Sequence, residues 1–289
     1  MTERILPAAV CVIAVLLAGV VKTEAAPNPR LLWFQGDRSV WAVPCPAKGD
    51  IDADCEAIEA RAGKITTGPT DPDYGYMPSV HVLWRQAVAG IGPDLIVEGD
   101  SGGSAGYLDV YGITFGPAPH LQRLASGHFD DPVTVKTVAG LPHFELGFAI
   151  EGFDGASDAA TPVTELPIHW NGHALDLDIK ALLAHKFDAK EFASARLRAA
   201  RELRHFLNVG SSQATTQFMV ETMLHLSLSG HADKAHALLE AVWPAARNRK
   251  VAVETEWRSF CRAVTRQEAW RDYRLSRIPN MDLLSAGAR

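Results

Sequence analysis

Cysteine is scarce in this chain, four residues in 289, and no two of them form a CxxC pair. A cysteine-ligated zinc site therefore lacks its ligands. Long apolar runs are missing too, with one exception: residues 5 to 21 are apolar apart from Pro7 and Gly19, follow the single basic Arg4, and lead to Thr23-Glu24-Ala25. That order predicts a secretory signal over residues 1 to 25, cleaved near Ala25, with an uncleaved anchor as the alternative. Cys11 lies inside the apolar run and leaves with the signal. A periplasmic or secreted location follows, where disulfides persist. Cys45 and Cys55 flank the polar stretch PAKGDIDAD, and a bridge there closes a small loop worth about 2–3 kcal/mol. Cys261, within EWRSFCRAV, reads as a buried free thiol.

Charge is present but unevenly divided. Residues 26 to 178 carry 8 basic against 21 acidic residues, a net of −13, and residues 179 to 289 carry 18 against 11, a net of +7. An acidic first half and a basic second half imply two domains that attract each other, or a basic face offered to an anionic partner.

The pattern of apolar residues changes at the same point. In residues 26 to 178, LLWFQ and SVWAV surround a short glycine-containing turn, and VHVLWRQAV, DLIVE, GYLDVYGITF, HLQRLA, PVTVKTV, HFELGFAI and VTELPIHW follow, punctuated by Gly, Pro, Asp or Asn. This predicts an antiparallel meander of about eight to ten strands. One interruption is expected: residues 52 to 62, DADCEAIEARA, read as a short helix with an acidic start and Gly63 as its stop. Asn171-Gly172 predicts a two-residue hairpin in which Trp170 pairs with His173 and His169 with Ala174, so the two histidines face opposite sides and form no metal pair.

From residue 179 the period is helical. DAKE at 188 to 191 offers an N-cap aspartate with a glutamate three residues on, and Phe192, Ala195, Ala199, Leu203 and Phe206 mark one face. Further helices are predicted over about 213 to 229, 232 to 243 and 250 to 275, with Gly230 and Pro244 as stops. Lys190, Arg196, Arg198, Arg201 and Arg204 leave the apolar face of the first long helix and make a cationic side. It reads as a solvated face, with docking against the acidic half and an anionic envelope component as alternatives. Nucleic acid is not expected, because no aromatic residues interleave the cations. The fold class is α+β: an antiparallel β-rich domain at 26 to 178 followed by an all-α domain at 179 to 289.

Residues 99 to 103, GDSGG, carry the one stretch that points to chemistry. It resembles the active-site motif of trypsin-like serine peptidases, which implies Ser101 as nucleophile. That chemistry needs a histidine base and an orienting carboxylate. Upstream of Gly99 the chain has only His81 and too few residues for a first barrel. The same letters contain the Gly-Asp-Ser of GDSL esterases, a resemblance that implies a late Asp-x-x-His, here Asp233 and His236. Such enzymes place the serine on a strand, elbow and helix, whereas SAGYLDVYGITF downstream is strand-like. The preferred reading is a glycine-rich turn between two strands, with Asp100 and Ser101 bonding local backbone. Asp100, Ser101, Tyr107 and Asp109 are then the candidate binding residues of the loop and its flank. Asp50, Asp52 and Asp54 have the first spacings of a calcium loop but lack its Gly and final Glu. Asp154 and Asp158 are similar to the aspartate-rich loops of FG-GAP-type repeats.

Taken together, LIVEGDSGG and SGHADKAHALLEAVWP are similar to segments of exported bacterial proteins with a β-rich, FG-GAP-like first half and a helical, tetratricopeptide-like second half. The resemblance implies architecture and no activity. Several such proteins carry His-Cys-Cys after Gly-Gly, and this chain has Ser104-Ala105-Gly106 there. The expectation is an exported envelope protein with a binding or assembly role and no cofactor or metal; the alternative is a serine hydrolase using Ser101, Asp233 and His236.

Overall fold

The computed structural model describes residues 28–45, 55–69, 79–87, 90–100, 107–128, 133–151, 153, 161–184, 187–208, 217–244 and 249–289. Twelve strands come first and the helices follow, so the expected α+β order holds. The strands form three successive four-stranded sheets, each an antiparallel meander between chain neighbours. Sheet A contains β1 (Arg30–Gln35), β2 (Arg38–Pro44), β3 (Glu56–Ala62) and β4 (Ile65–Thr67). Sheet B contains β5 (Ser79–Arg85), β6 (Leu95–Asp100), β7 (Tyr107–Phe115) and β8 (Pro119–His128). Sheet C contains β9 (Lys136–Val138), β10 (Leu141–Ala149), β11 (Val163–Trp170) and β12 (Leu175–Leu177).

Strand β3 replaces the helix expected over residues 52 to 62; positions 52 to 54 themselves lie outside the described residues. Alanine and glutamate favour a helix in isolation, but EAIEARA also alternates, and a partner strand decides the outcome. The Cys45–Cys55 disulfide forms as expected, with Cα atoms 5.4 Å apart. It joins the end of β2 to the start of β3, which then pair without a break from Pro44↔Glu56 to Arg38↔Ala62. Val40, Ala42, Ile58 and Ala60 enter the core on one face. On the other, the Arg61 guanidinium lies 5.2 Å from the Trp41 ring centroid.

Sheet B is the middle layer. Val80, Leu95, Val97, Tyr111 and Ile113 pack with sheet A in one apolar cluster. Its opposite face gives Trp84, Ile96, Leu108, Val110 and Leu124 to a second cluster, shared with Phe144, Leu146, Phe148, Leu166 and Ile168 of sheet C and with the helices. A strand buried on both faces reads as a continuous apolar run, as Leu95-Ile96-Val97 in β6 does. The β7 chain passes so close to β12 that a Cβ on Gly112 would lie 2.7 Å from Leu175 Cδ1.

The Asn171-Gly172 turn is wider than the two-residue hairpin expected. Trp170 pairs with Leu175 and His169 with Asp176, because the Asn171 side-chain oxygen accepts hydrogen bonds from the backbone of both His173 and Ala174, each at 3.0 Å. Satisfying two N–H groups from one asparagine stabilises a four-residue loop in place of the tight one.

The helices are α1 (Ile179–Leu182), α2 (Ala189–Asn208), α3 (Gln217–Leu228), α4 (Ala232–Val242), α5 (Arg249–Arg266), α6 (Glu268–Asp272), a 3₁₀ turn (Leu275–Arg277) and α7 (Asp282–Gly287). The capping box of α2 is formed: Glu191 N–H donates to Asp188 Oδ1 at 2.8 Å and Asp188 N–H to Glu191 Oε2 at 3.2 Å. Gly230, at φ +84°, ends α3 as expected, and a Cβ there would sit 2.9 Å from Leu183. Among the described residues no helix is long and apolar enough to cross a membrane; the apolar segment 5 to 21 lies outside them.

The apolar core does not pause at residue 178. Leu175 and Leu177 of sheet C share one cluster with Leu182, Leu203, Leu224, Leu239 and Phe260. Two ion pairs reinforce the junction between the acidic and basic halves: Arg277 to Asp176 at 2.6 Å and Arg123 to Glu268 at 3.8 Å.

Candidate functional site

The first two residues of GDSGG are the end of a strand. Gly99 and Asp100 close β6, Tyr107 opens β7, and the two strands pair antiparallel with Asp100 opposite Leu108. Strand resumes at Tyr107, six residues after Ser101. Ser101 and residues 102 to 106 lie outside the described residues, as do Asp50, Asp52, Asp54, Asp154 and Asp158. Asp233 stands in the first turn of α4, and His236 lies on the same helix with its ring 4.8 Å from Trp257.

The acids flanking the loop are engaged within the fold. Asp109 is buried, accepts from Arg123 Nη2 at 2.9 Å, and lies 3.3 Å from the Tyr111 hydroxyl. Arg123 also faces Glu268, so this acid sits at the seam with α6. Glu98, likewise buried, accepts the Val133 N–H at 2.9 Å. Burial pushes the Glu98 carboxyl above its ordinary range; the Val133 hydrogen bond opposes this, the Asp100 charge adds to it and His81 offsets part of it. The five cations of α2, Lys190, Arg196, Arg198, Arg201 and Arg204, are all exposed. Arg198 pairs with Glu202 on its own helix and lies 3.7 Å above the Phe218 ring centroid. Among the described residues, contact between the halves is thus made by the shared core, Arg277 and Arg123, and the cations of α2 form no ion pair across it.

A cleft of about 360 Å³ lies on the outward face of sheet C. Its origin is the period of the strands. Phe144, Leu146, Leu166 and Ile168 turn into the core, so the alternate positions His143, Glu145, Glu165, Pro167 and His169 face outward. Register then groups them: His143 stands opposite His169, and Glu145 is diagonal to Glu165, which faces Gly147. Lys136 on one side and Asp178, the N-cap of α1, on the other complete the rim. The His169 Nδ1 lies 3.5 Å from Asp178 Oδ2, and the two imidazoles meet edge to face with centroids 5.9 Å apart. Asp178 Oδ1 accepts the Ala181 N–H at 2.9 Å, which holds the carboxylate in place.

Glu145 and Glu165 interact electrostatically across this diagonal. Burial first, and then the neighbouring Glu145, push the Glu165 carboxyl above its ordinary range, while Lys136 opposes the shift. With Asp178 they form a strongly acidic rim, three carboxyls against one lysine, beside Pro167 and Ala181 as its apolar lining.

No family model, curated protein or solved structure matches this chain. Its site is therefore read from geometry alone. Sequence reasoning missed the cleft because neither the diagonal of Glu145 and Glu165 nor the His143↔His169 pairing exists until β10 and β11 take their register. The alternation in HFELGF and TELPIHW was the available signal, since it sends those residues to the side away from the phenylalanines and leucines.

Proposed function

We propose that this chain is an exported binding protein whose ligand site is the acidic cleft on sheet C, and that the ligand presents a cationic group, an amine or guanidinium, on an apolar stem. The observation that carries this reading is the convergence of Glu145, Glu165 and Asp178 around one opening with Lys136 as the opposing charge. A cation entering there relieves the repulsion between the two glutamates and forms charge-assisted hydrogen bonds worth about 1.5–3 kcal/mol each. The Cys45–Cys55 disulfide and the apolar N-terminal segment support a periplasmic or secreted location.

Calorimetric titration with spermidine and with a short arginine-rich peptide tests the proposal. Binding is expected to weaken at least about tenfold in the Glu145→Gln, Glu165→Gln double variant and to fall with salt. Affinity unchanged in that variant, or no heat of binding, overturns it. Fluorophosphonate labelling that disappears in Ser101→Ala would instead assign a hydrolase.

A second surface has its own observation. Among the described residues the exposed cations of α2 form no ion pair with the acidic half, which supports contact with an anionic envelope component. Capture of such a component should be lost at high salt and in a variant with Lys190, Arg201 and Arg204 replaced by glutamine.

A further inference from the structure

We infer that His236, Glu240 and Glu254 form a binding site for a divalent transition-metal ion of the zinc class, clamping α4 to α5. His236 and Glu240 are one helical turn apart and project from the same side of α4. Glu254 reaches the same point from the second turn of α5. One potential ligand atom from each residue lies within 4.8 Å of the other two.

Three observations favour an ion over a chance cluster. The His236 Nε2 is buried and has no hydrogen-bond partner, an expensive condition for an imidazole nitrogen. Its distance to Glu254 Oε1 is 3.5 Å. That pair misses hydrogen-bond geometry but fits a shared ion, since two ligands at about 2.0–2.1 Å in tetrahedral arrangement lie roughly 3.3–3.4 Å apart. Finally, the frame is fixed before any ion arrives. The His236 ring is held against Trp257, centroids 4.8 Å apart, and Arg249 at the start of α5 donates to the carbonyl of Glu240. A rotation of the exposed Glu240 side chain brings the third oxygen in.

The donor set, one imidazole and two carboxylates, selects zinc, cobalt, nickel or manganese over calcium and magnesium, which prefer all-oxygen shells. Three protein ligands leave a fourth position for water. Cys261 is buried and free, but it belongs to the core and not to this ligand set.

The test uses the purified chain after chelator treatment, titrated separately with Zn²⁺ and Co²⁺. One equivalent of Zn²⁺ should bind, Co²⁺ should quench Trp257 fluorescence, and bound Zn²⁺ should raise the melting temperature. Glu240→Gln, at an exposed position, preserves the fold and should weaken Zn²⁺ binding by more than about tenfold, the scale on which even the outer partners of ligands act. Glu254→Gln should do the same. Trp257→Phe should keep the affinity and lose the quenching, while His143→Ala, in the sheet C cleft, should leave both unchanged. Zn²⁺ binding equal in wild type and Glu240→Gln, Glu254→Gln, loss of the site in His143→Ala, or no binding below about millimolar Zn²⁺, would overturn the assignment.

Discussion

Glu98 shows how one side chain can be both necessary and unfavourable. Its carboxyl holds the Val133 N–H, tying the segment after β8 to the middle sheet, yet burial penalises its charge. A carboxyl whose folded-state pKa is raised contributes its full stability below the ordinary value of 4.5 and loses it as pH rises through the shifted one. Glu98→Gln keeps an acceptor without the charge, so it should be more stable than wild type at about pH 8 and converge with it near about pH 4. Glu98→Ala should lose about 1–3 kcal/mol at both, because the buried Val133 N–H is left without its acceptor. Urea unfolding at the two pH values measures all three. Asp109, beside the same loop, was a candidate ligand residue in the sequence; its buried pairing with Arg123 could not be seen there, since the two are brought together only by the β7–β8 register.

At the scale of elements, boundaries set by local chemistry were legible and those set by partners were not. The α2 start was written in DAKE, and Asp188→Ala should cost about 1 kcal/mol, seen as a drop of about 2–4 °C in melting temperature. The Gly230 stop was equally plain, because at φ +84°, with Leu183 2.9 Å from where a Cβ would lie, glycine alone fits without strain. By contrast, EAIEARA satisfies a helix and a strand alike, and its pairing with β2 and β4 selects the strand. Asn171-Gly172 marked a hairpin correctly but not its length, which the asparagine side chain decides by capping two N–H groups. The same division applies to the metal cluster: His236-x-x-x-Glu240 is visible at helical spacing, whereas Glu254 joins it only through the packing of α5 on α4.

For the whole molecule, the change of sign at residue 178 marks a change of secondary structure and not a gap in the core. Asp176 and Arg277 bridge it. Burial alone would raise the Asp176 carboxyl, but the Arg277 hydrogen bonds, the Leu177 N–H and Asn171 outweigh it and hold the group below its ordinary 3.8. A depressed carboxyl contributes stability above that value and loses it as pH falls through the folded-state value. Arg277→Ala should therefore destabilise by about 0.5–1 kcal/mol at neutral pH, the partly exposed pair being screened by solvent. The difference should vanish on strong acidification in chemical denaturation curves.

Sheet B touches every other layer, with sheet A on one side and sheet C and the helices on the other. Denaturant should therefore strip sheet A, a disulfide-clipped flap, without breaking the cluster that joins sheet C to the helices, a difference that hydrogen exchange would report. Fraying at one end need not disturb a ligand held at the other.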